Sequence, residues 1–520
     1  MNTATRISPG PVVMRRGLIR TIAAGTVVAV ALAVALVAGV LGTSWAKNRV
    51  RAEAVAFLEA RFDASVEIDE LSLRLVPSVS VTGRGLRLVR DGRVPFIRID
   101  RFSAAGSPLR LLRRQVGAVE IDGLELQVAR GAGRSESRRK APRRDVRVDR
   151  IEVRQGVLLI VPDQAGKLPL RFDLEEVVMN DFSFEGSAPY AARLTNPKPT
   201  GRIDSVGRFG PWNTEEPRQT PLSGTYLFER AQLDTIKGIG GTLTSRGQFG
   251  GVLGRIAVEG TTTTPDFQLA YARQPIRLDT RFQATVDGTS GDTYLEEVHA
   301  TLGESLILAR GSVAGAPGAK GRTIALDVQL DQGRLEDFLR LAVKAPESPM
   351  VGVIGLKSAF ELPPGEASVP ERLRMVGTFT IRQGRFTSDT VQTRIDELSR
   401  RGRGQPGNAA VENVASSFGG AFRLDAGRLA LPRLQFRVGG ADVALAGSYR
   451  LESEMLDFAG TLRLDAPLSR TTTGVKSLLL RGFDPFFRKP GAGTQLAIKI
   501  GGTVDKPAFG LDLKRTLRGP

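Results

Sequence analysis

The sequence predicts a mainly β protein, in which an N-terminal transmembrane helix precedes a long, curled, mostly antiparallel β-groove with a few amphipathic helices. Three observations support this prediction. Residues 22–41 carry no charge and are dominated by Ala, Val and Leu, and about 20 such residues match the ~30 Å hydrocarbon core of a bilayer. From residue 66 onward, apolar and polar residues alternate in runs that glycines interrupt, a period of two typical of strands. Few stretches have the period of helices that could cover those strands.

The flanks of the apolar run indicate its orientation. Arg15, Arg16 and Arg20 precede the run, and the segment before it is short. A short N-terminal flank stays in the cytoplasm, whereas a long C-terminal body is translocated whatever its charge. Residues 1–46 are therefore predicted to be a cytoplasmic stub and a single-pass anchor with an extracytoplasmic body. A cleaved signal peptide is the alternative, because residues 44–46 loosely fit a small-x-small cleavage site.

Composition excludes several kinds of chemistry. The 520-residue chain has no cysteine and one histidine, His299. Disulfides, thiolate catalysis and multi-histidine metal sites are therefore excluded. A formal charge of +18 favours anionic partners such as lipids or lipopolysaccharide, with a solvated basic surface as the alternative. Nucleic acid is a poor partner for a translocated body, and no nucleic-acid binding is predicted.

The chain after the anchor divides into four predicted segments. Residues 47–130 begin with a helix over 47–62 and continue as strands, with an Asp-Gly hairpin turn at 122–123. Residues 131–149 hold a dense arginine run and are predicted to be a basic flexible loop, with an anionic-lipid contact as the alternative. Residues 150–345 form a central β-groove region, interrupted by a proline-rich loop or junction between 189 and 221. Residues 346–520 form a C-terminal β region.

Three amphipathic helices are predicted within these segments. The first covers 334–343, the second covers 388–401 with a Ser cap and Gly402 just past its end, and the third lies near 475–481. Their apolar stripes are long enough to cap part of a sheet. They are too few to cover all of it.

The number of strands suggests the groove. About 450 residues at ~10–12 per strand and turn would give on the order of 30–40 strands, and a sheet of that length must twist and curl. Curling with the apolar face inward produces a groove with a hydrophobic floor, although a row of β-sandwiches would have a similar pattern. The candidate groove residues are Leu434, Phe436, Val438, Val443, Leu445, Leu462 and Leu464. The residues Phe486, Phe487, Arg488 and Lys489 are a candidate membrane-contacting tip, with core packing as the alternative.

The order of these features resembles the AsmA-like family of double-membrane bacteria. The resemblance rests on an anchor, a short helix and the strand-like phrases at 66–77, 95–99 and 119–126. It also rests on phrases near the C terminus, at 418–424, 439–449, 456–462 and 501–507. The resemblance implies an inner-membrane-anchored periplasmic protein with a repeating β-groove. It also implies phospholipid movement towards the outer membrane, or outer-membrane assembly and integrity.

Other polar clusters do not predict catalysis. His299 shares the polar side of a strand with Glu297, the Asp-rich stretch 287–292 lacks the spacing of an EF-hand, and the adjacent carboxylates Asp396 and Glu397 diverge on a regular element. No enzyme activity and no cofactor are therefore predicted. The expected function is passive binding or conduction of lipid in the apolar groove, with phospholipid as the expected class. The alternative is a scaffold or regulator of outer-membrane protein assembly that binds proteins through sheet edges.

Overall fold

The computed structural model describes most of the chain after the predicted anchor. The described residues are 52, 55–56, 58–59, 64–74, 78–89, 95–129, 146–161, 170–183, 185–213, 217–288, 290–315, 321–408, 412–471, 493–503 and 506–511. Of these, 67% are in strands and 11% in helices, which confirms the mainly β class. The predicted anchor, the third helix and residues 486–489 lie outside the described residues.

The chain divides into two compact units. The first takes the described residues up to Thr235, with Leu243–Thr261 and Gln283–Thr293. The second takes Ile236–Thr242, Thr262–Phe282 and the described residues from Tyr294 onward. This grouping is coarser than the four segments predicted after the anchor, and those segment boundaries stay predictions.

The first unit is a mostly antiparallel sheet, in which each strand from β1 to β8 pairs with the next, and of these pairs only β4 and β5 run parallel. Its strands are β1 (Ser65–Arg74), β2 (Val79–Val89), β3 (Ile97–Gly106), β4 (Gln115–Ala129), β5 (Arg147–Val161), β6 (Leu170–Phe182), β7 (Ala188–Pro197), β8 (Thr200–Phe209) and β9 (Pro221–Gln232). The first helix is α1 (Pro108–Leu112), and 3₁₀ turns cover Pro217–Gln219 and Leu233–Thr235.

Several strands lie where the two units divide the chain. They are β10 (Ile239–Gly240), β11 (Thr242–Val252), β12 (Arg255–Leu269), β13 (Ile276–Val286) and β14 (Thr293–Leu302). Of these, β11, β12, β13 and β14 each contribute residues to both units, β11 and β14 by one terminal residue.

The second unit is an antiparallel meander from β15 to β24. Its strands are β15 (Ser305–Ala314), β16 (Thr323–Arg334), β17 (Met350–Leu362), β18 (Arg374–Phe386), β19 (Ser416–Asp425), β20 (Arg428–Val438), β21 (Ala441–Arg450), β22 (Leu456–Leu464), β23 (Thr494–Gly502) and β24 (Pro507–Leu511). Its helices are α2 (Leu335–Ala342), α3 (Val369–Arg372) and α4 (Asp389–Gly402), with a 3₁₀ turn at Leu468–Thr471.

Two of the three predicted helices are confirmed. The predicted stripe of α2 is real, because Leu335, Phe338 and Leu339 pack in one apolar cluster. The helix α4 begins after Ser388, whose carbonyl accepts from the Gln392 amide at 2.9 Å. Ser388 is the N-cap residue, as predicted, but its side chain makes no cap hydrogen bond.

The predicted hairpin at Asp122-Gly123 is wrong. Strand β4 continues through it, and Gly123 adopts a φ of +71° inside the strand. A side chain at Gly123 would collide with Asp100 on β3. The irregularity lets Ile121 and Leu124 face the same core, although they are three residues apart. An Asp-Gly pair thus changes the buried face of a strand without reversing the chain.

The predicted loop between residues 189 and 221 is also wrong. This stretch forms most of β7 and β8, which pair from Ala188↔Phe209 to Pro197↔Thr200. The prolines of this stretch lie at strand ends or in turns. Pro189 lies near the start of β7, where proline is tolerated. The basic segment is shorter than predicted at its C-terminal side, since β5 already begins at Arg147.

Candidate functional site: the apolar face of the second unit

The seven predicted groove residues lie on one face of β20, β21 and β22. Val443 is directly opposite both Phe436 and Leu462, and Leu434 is opposite Leu445. Directly paired residues in an antiparallel sheet point to the same side. Val438 and Leu464 belong to the same face because both are opposite Ala441. The structure therefore brings these seven side chains together.

The same face continues over strands that sequence reasoning had not singled out. One row of directly paired residues runs through Ile354, Ile381, Phe418, Phe436, Val443, Leu462 and Leu496. A second row runs through Leu330, Leu356, Phe379, Gly420, Leu434, Leu445, Gly460 and Ile498. The signal for the missing part was the alternation within β16 to β19. We call this surface, on β16 to β23, the apolar face.

Two helices cover one end of the apolar face. Ile395 and Leu398 of α4 pack in a cluster with Phe436 and Leu464, and α2 packs in the same way over Leu330 and Ile354. Phe436 also contacts Phe418, with ring centroids 4.8 Å apart. The sheet residues under these helices are at most 8% exposed: Leu330, Ile354, Phe436 and Leu464. This end of the face is an ordinary packed core.

Buried carboxylates hold both helices in place. Asp396 of α4 accepts the backbone N–H groups of Asn413 and Val414, each at 2.9 Å, and the amide of Gln392 at 2.9 Å. Asp337 of α2 accepts the Glu304 N–H at 3.0 Å and the Ser305 hydroxyl at 2.7 Å. Buried polar groups bonded in this way favour one arrangement of the helix on the sheet.

Away from these helices the apolar face is only half-buried. Phe379, Leu434 and Leu445 all retain intermediate exposure. An aliphatic or aromatic row of this length, left partly open to solvent, is unusual for a monomeric soluble protein. Such a surface lowers its free energy when another apolar molecule covers it.

Glycines on this face let neighbouring strands approach closely. A Cβ built on Gly420 would overlap the carbonyl oxygen of Arg433, and one on Gly460 would overlap that of Ala444. Both glycines lie in the Leu434–Leu445 row. Only a residue without a side chain permits such an approach. Each glycine therefore lets its strand lie unusually close to the neighbouring strand.

The opposite side of the same strands is polar. Ala444, Gln435 and Arg463 are exposed, and the Arg437 guanidinium pairs with Asp442 at 3.2 Å. The face alternation predicted from the sequence is thus present on both sides. Charge on this side keeps it solvated.

A ladder of alternating charges crosses the first unit and was missed by sequence reasoning. Asp122, Arg154, Glu176, Arg193 and Asp204 are directly opposed on five neighbouring strands, β4 to β8. The Arg193 guanidinium lies 3.1 Å from Asp204 and 3.8 Å from Glu176. The ladder combines both signs, so this surface does not attract an anionic partner in the way that the net charge suggests.

Two carboxyl groups of this surface have shifted pKa values. A hydrogen bond from Arg202 lowers the pKa of Asp204, partial desolvation opposes this shift, and Arg193 adds to it. Burial raises the pKa of Glu152, but hydrogen bonds and charge from Arg150 and Arg154 outweigh burial and leave it below its ordinary value. Both carboxylates are therefore ionised and paired near neutral pH. Neither has the raised pKa of a general acid.

The clusters considered for chemistry have structural positions. His299 is exposed on β14 and its ring nitrogen contacts the Glu297 carboxylate, as predicted for a strand face. The stretch from Asp287 to Asp292 connects β13 and β14, and the Asp287 N–H donates to the Asp292 carbonyl at 2.9 Å. Asp396 and Glu397 diverge, since the first is buried and the second is exposed beside Arg401.

Within the described ranges, no group of three or more His, Cys, Asp or Glu side chains could hold a metal ion. None of the helices in that part of the chain is long and apolar enough to cross a membrane. The predicted anchor at 22–41 and the predicted tip at Phe486, Phe487, Arg488 and Lys489 fall outside the described residues.

Comparison with known proteins identifies no relative: neither a protein-family model, nor a curated protein, nor a solved structure matches this chain. The resemblance to the AsmA-like family therefore rests on the sequence phrases alone.

Proposed function

We propose that the apolar face binds the acyl chains of lipids, with phospholipid as the first expected class. The observation that carries the proposal is the half-buried apolar row on seven successive strands, β17 to β23. Acyl chains would lie on this face and leave their headgroups in water. Each methylene group removed from water contributes about 0.8 kcal/mol, so a bound chain needs neither a catalytic residue nor a cofactor.

The proposal includes the location of the protein. The apolar run at 22–41 would anchor the chain in the inner membrane, with the two units in the periplasm. The close approach of neighbouring strands at Gly420 and Gly460 supports a curled groove, because sheets of this length twist and curl. The resemblance to AsmA-like proteins supports a role in lipid supply to the outer membrane.

A pair of substitutions on one strand tests lipid binding. Leu445 is half-buried on the apolar face, and its neighbour Ala444 is exposed on the polar face. The full chain is incubated with phosphatidylethanolamine–phosphatidylglycerol vesicles, separated from them, and analysed for bound lipid by native mass spectrometry. We expect Leu445→Glu to lower lipid loading at least tenfold and Ala444→Glu to leave it unchanged.

Circular dichroism and urea denaturation show whether both variants fold. Equal loading of two folded variants would contradict the proposal. If neither the variants nor the natural chain take up lipid, and the natural chain still binds an outer-membrane assembly protein, the scaffold alternative is favoured.

A further inference from the structure

Two short segments of the second unit together form a crossing element, here called the strap. It consists of residues 236–241 and 269–274. Strand β10 within it pairs with the end of β12, at Ile239↔Leu269. The Ala270 N–H also donates to the Gly238 carbonyl at 3.0 Å. The two segments therefore behave as one piece of backbone.

One side of the strap contacts the chain that follows α2. The Gln274 side-chain amide donates to the carbonyls of Val343, at 3.2 Å, and of Ala345. The Lys344 ammonium lies 4.7 Å from the centroid of the Tyr271 ring, a cation–π geometry. Because α2 packs on the apolar face, this contact lies on the apolar side of the sheet.

The other side of the strap contacts the connection between β17 and β18. The Lys237 ammonium donates to the Glu366 carbonyl at 2.9 Å. A Cβ built on Gly238 would be 2.9 Å from Val369 Cγ2, so the Gly238 backbone packs directly on α3.

These two contacts are at opposite ends of the same strands. The end of β16 that leads into α2 pairs with the start of β17, at Arg334↔Val353. The other end of that pair is Ile324↔Leu362, from which the chain continues towards Glu366 and α3. The strap thus reaches from one end of β16–β18 to the other.

The strap also lies within electrostatic range of the apolar face further along the sheet. Burial raises the pKa of Tyr449 on β21, and the neighbouring Glu454 and Tyr271 raise it further. Tyr449 belongs to the apolar side, since it is opposite Leu429 and Leu456. The strap residue Tyr271 is therefore on the side of the sheet where an acyl chain would lie.

We propose that the strap is a gate over the apolar face, and that it must leave α3 for an acyl chain to enter sideways across β16–β18. This inference rests on the proposed function and adds its regulation. On the α3 side, the described contacts are the Lys237–Glu366 hydrogen bond and the packing of Gly238 on Val369. On the other side the Gln274 amide bonds two carbonyls and Lys344 lies over Tyr271, so the side that has fewer polar contacts is the one that opens.

A reversible cross-link tests the gate, because the natural chain has no cysteine. The Cβ position at Gly238 is 3.6 Å from Val369 Cβ, within the ~3.5–4.5 Å range of disulfides. The full chain carrying Gly238→Cys and Val369→Cys is compared with itself in oxidised and reduced form. The φ of +101° at Gly238 disfavours a side chain, but both forms carry that strain equally.

The measurement is the rate of uptake of fluorescent phospholipid from vesicles. We expect oxidation to slow uptake at least tenfold and dithiothreitol to restore it. The control pair Ala446→Cys with Ala459→Cys joins directly opposed residues of β21 and β22 away from the strap, and oxidation should leave its uptake unchanged.

Equal uptake by the oxidised and reduced strap variant would overturn the gate while leaving lipid binding intact. An absence of uptake even in the reduced form and the natural chain would overturn the proposed function, and the gate with it. Lys237→Ala provides a second test that needs no disulfide: loss of its bond to Glu366 should speed uptake about threefold or more, and an unchanged rate would contradict the gate.

Discussion

The strands of both units alternate apolar and polar residues, but the apolar side chains of the first unit are more deeply buried than those of the second. In the first unit, Leu88, Ile97 and Ile99 are 0% exposed. In the second unit, the corresponding central positions, such as Leu434 and Leu445, remain half-buried. The period of two determines which face of a strand is apolar. It does not determine what covers that face.

The covering comes from segments outside the strands. In the first unit, Leu111 of α1 and Leu58 before β1 are fully buried in the same cluster as Leu88. In the second unit, α2 and α4 cover one end of the apolar face. A short helix placed at a strand end thus converts an apolar face into a core locally, and the rest of that face stays available for a ligand.

The largest expected effect comes from truncating one leucine in each unit. Leu88→Ala removes a fully buried side chain, and we expect a loss of about 3 kcal/mol in the free energy of unfolding. Leu445→Ala removes a half-buried one, and we expect about 1 kcal/mol or less. Urea denaturation of the two variants measures the difference. Equal losses would mean that both faces are packed cores, contrary to the comparison.

Substitution of a glycine on the apolar face tests how closely neighbouring strands approach. Gly460→Ala places a Cβ against the Ala444 carbonyl, and we expect it to lower the free energy of unfolding by about 2 kcal/mol through overpacking. Nothing lies within 4 Å of a Cβ at Gly407, so Gly407→Ala should change it by less than about 0.5 kcal/mol. Similar denaturation midpoints for both variants would argue against close approach of β21 and β22.

The helix that covers the end of the apolar face can be loosened separately. Asp396→Ala removes the buried carboxylate that accepts the N–H groups of Asn413 and Val414, and we expect a loss of about 2 kcal/mol. Glu397→Ala removes an exposed ion pair with Arg401 at 3.7 Å and should cost less than about 0.5 kcal/mol. Thermal denaturation compares the two variants. A large loss of stability in Glu397→Ala, together with no loss in Asp396→Ala, would contradict the conclusion that Asp396 holds α4 in place.

The smallest expected effect concerns acid stability of the first unit. The pKa of Glu152 is lowered in the folded protein, so its ionised form stabilises the fold above the unfolded-state value near 4.5. This contribution is lost as the pH falls through the lower folded-state value. Glu152→Gln should therefore destabilise the protein by about 1 kcal/mol at pH 7 and by less below pH 4. A difference that grows as the pH falls would reverse the sign of the assigned shift.

Much of the fold could be predicted from local patterns. The alternation gave the strand faces and the seven-residue part of the apolar face, and the 3.6-residue period gave α2 and α4. The described residues hold 24 named strands, where on the order of 30–40 were expected over about 450 residues. Many of these are long: β4, β5 and β12 each have 15 residues, and a single strand then uses the residues allotted to a strand and its turn.

The errors have a common physical origin. A glycine such as Gly123 can either reverse the chain or change the buried face of a strand. Its contact with Asp100 on β3 decides between the two, and Asp100 is too far away in the sequence for a local pattern to include it. The charge ladder through Arg154 and Glu176 depends on the register between β5 and β6, which the sequence does not state. The strap depends on contacts between Lys237 and Glu366, which are 129 residues apart. Pairing and long-range contact are therefore what sequence patterns could not provide.

The most direct test of the central claim is to map where an acyl chain lies. A phospholipid with a photoactivatable diazirine near the middle of one acyl chain is loaded onto the full chain and irradiated, and the adducts are assigned by tandem mass spectrometry. The account predicts adducts on half-buried residues of the apolar face, such as Phe379, Leu434 and Leu445, and none on Ala444 or Gln435 of the polar side. Adducts confined to the polar side, or distributed without regard to face, would contradict it.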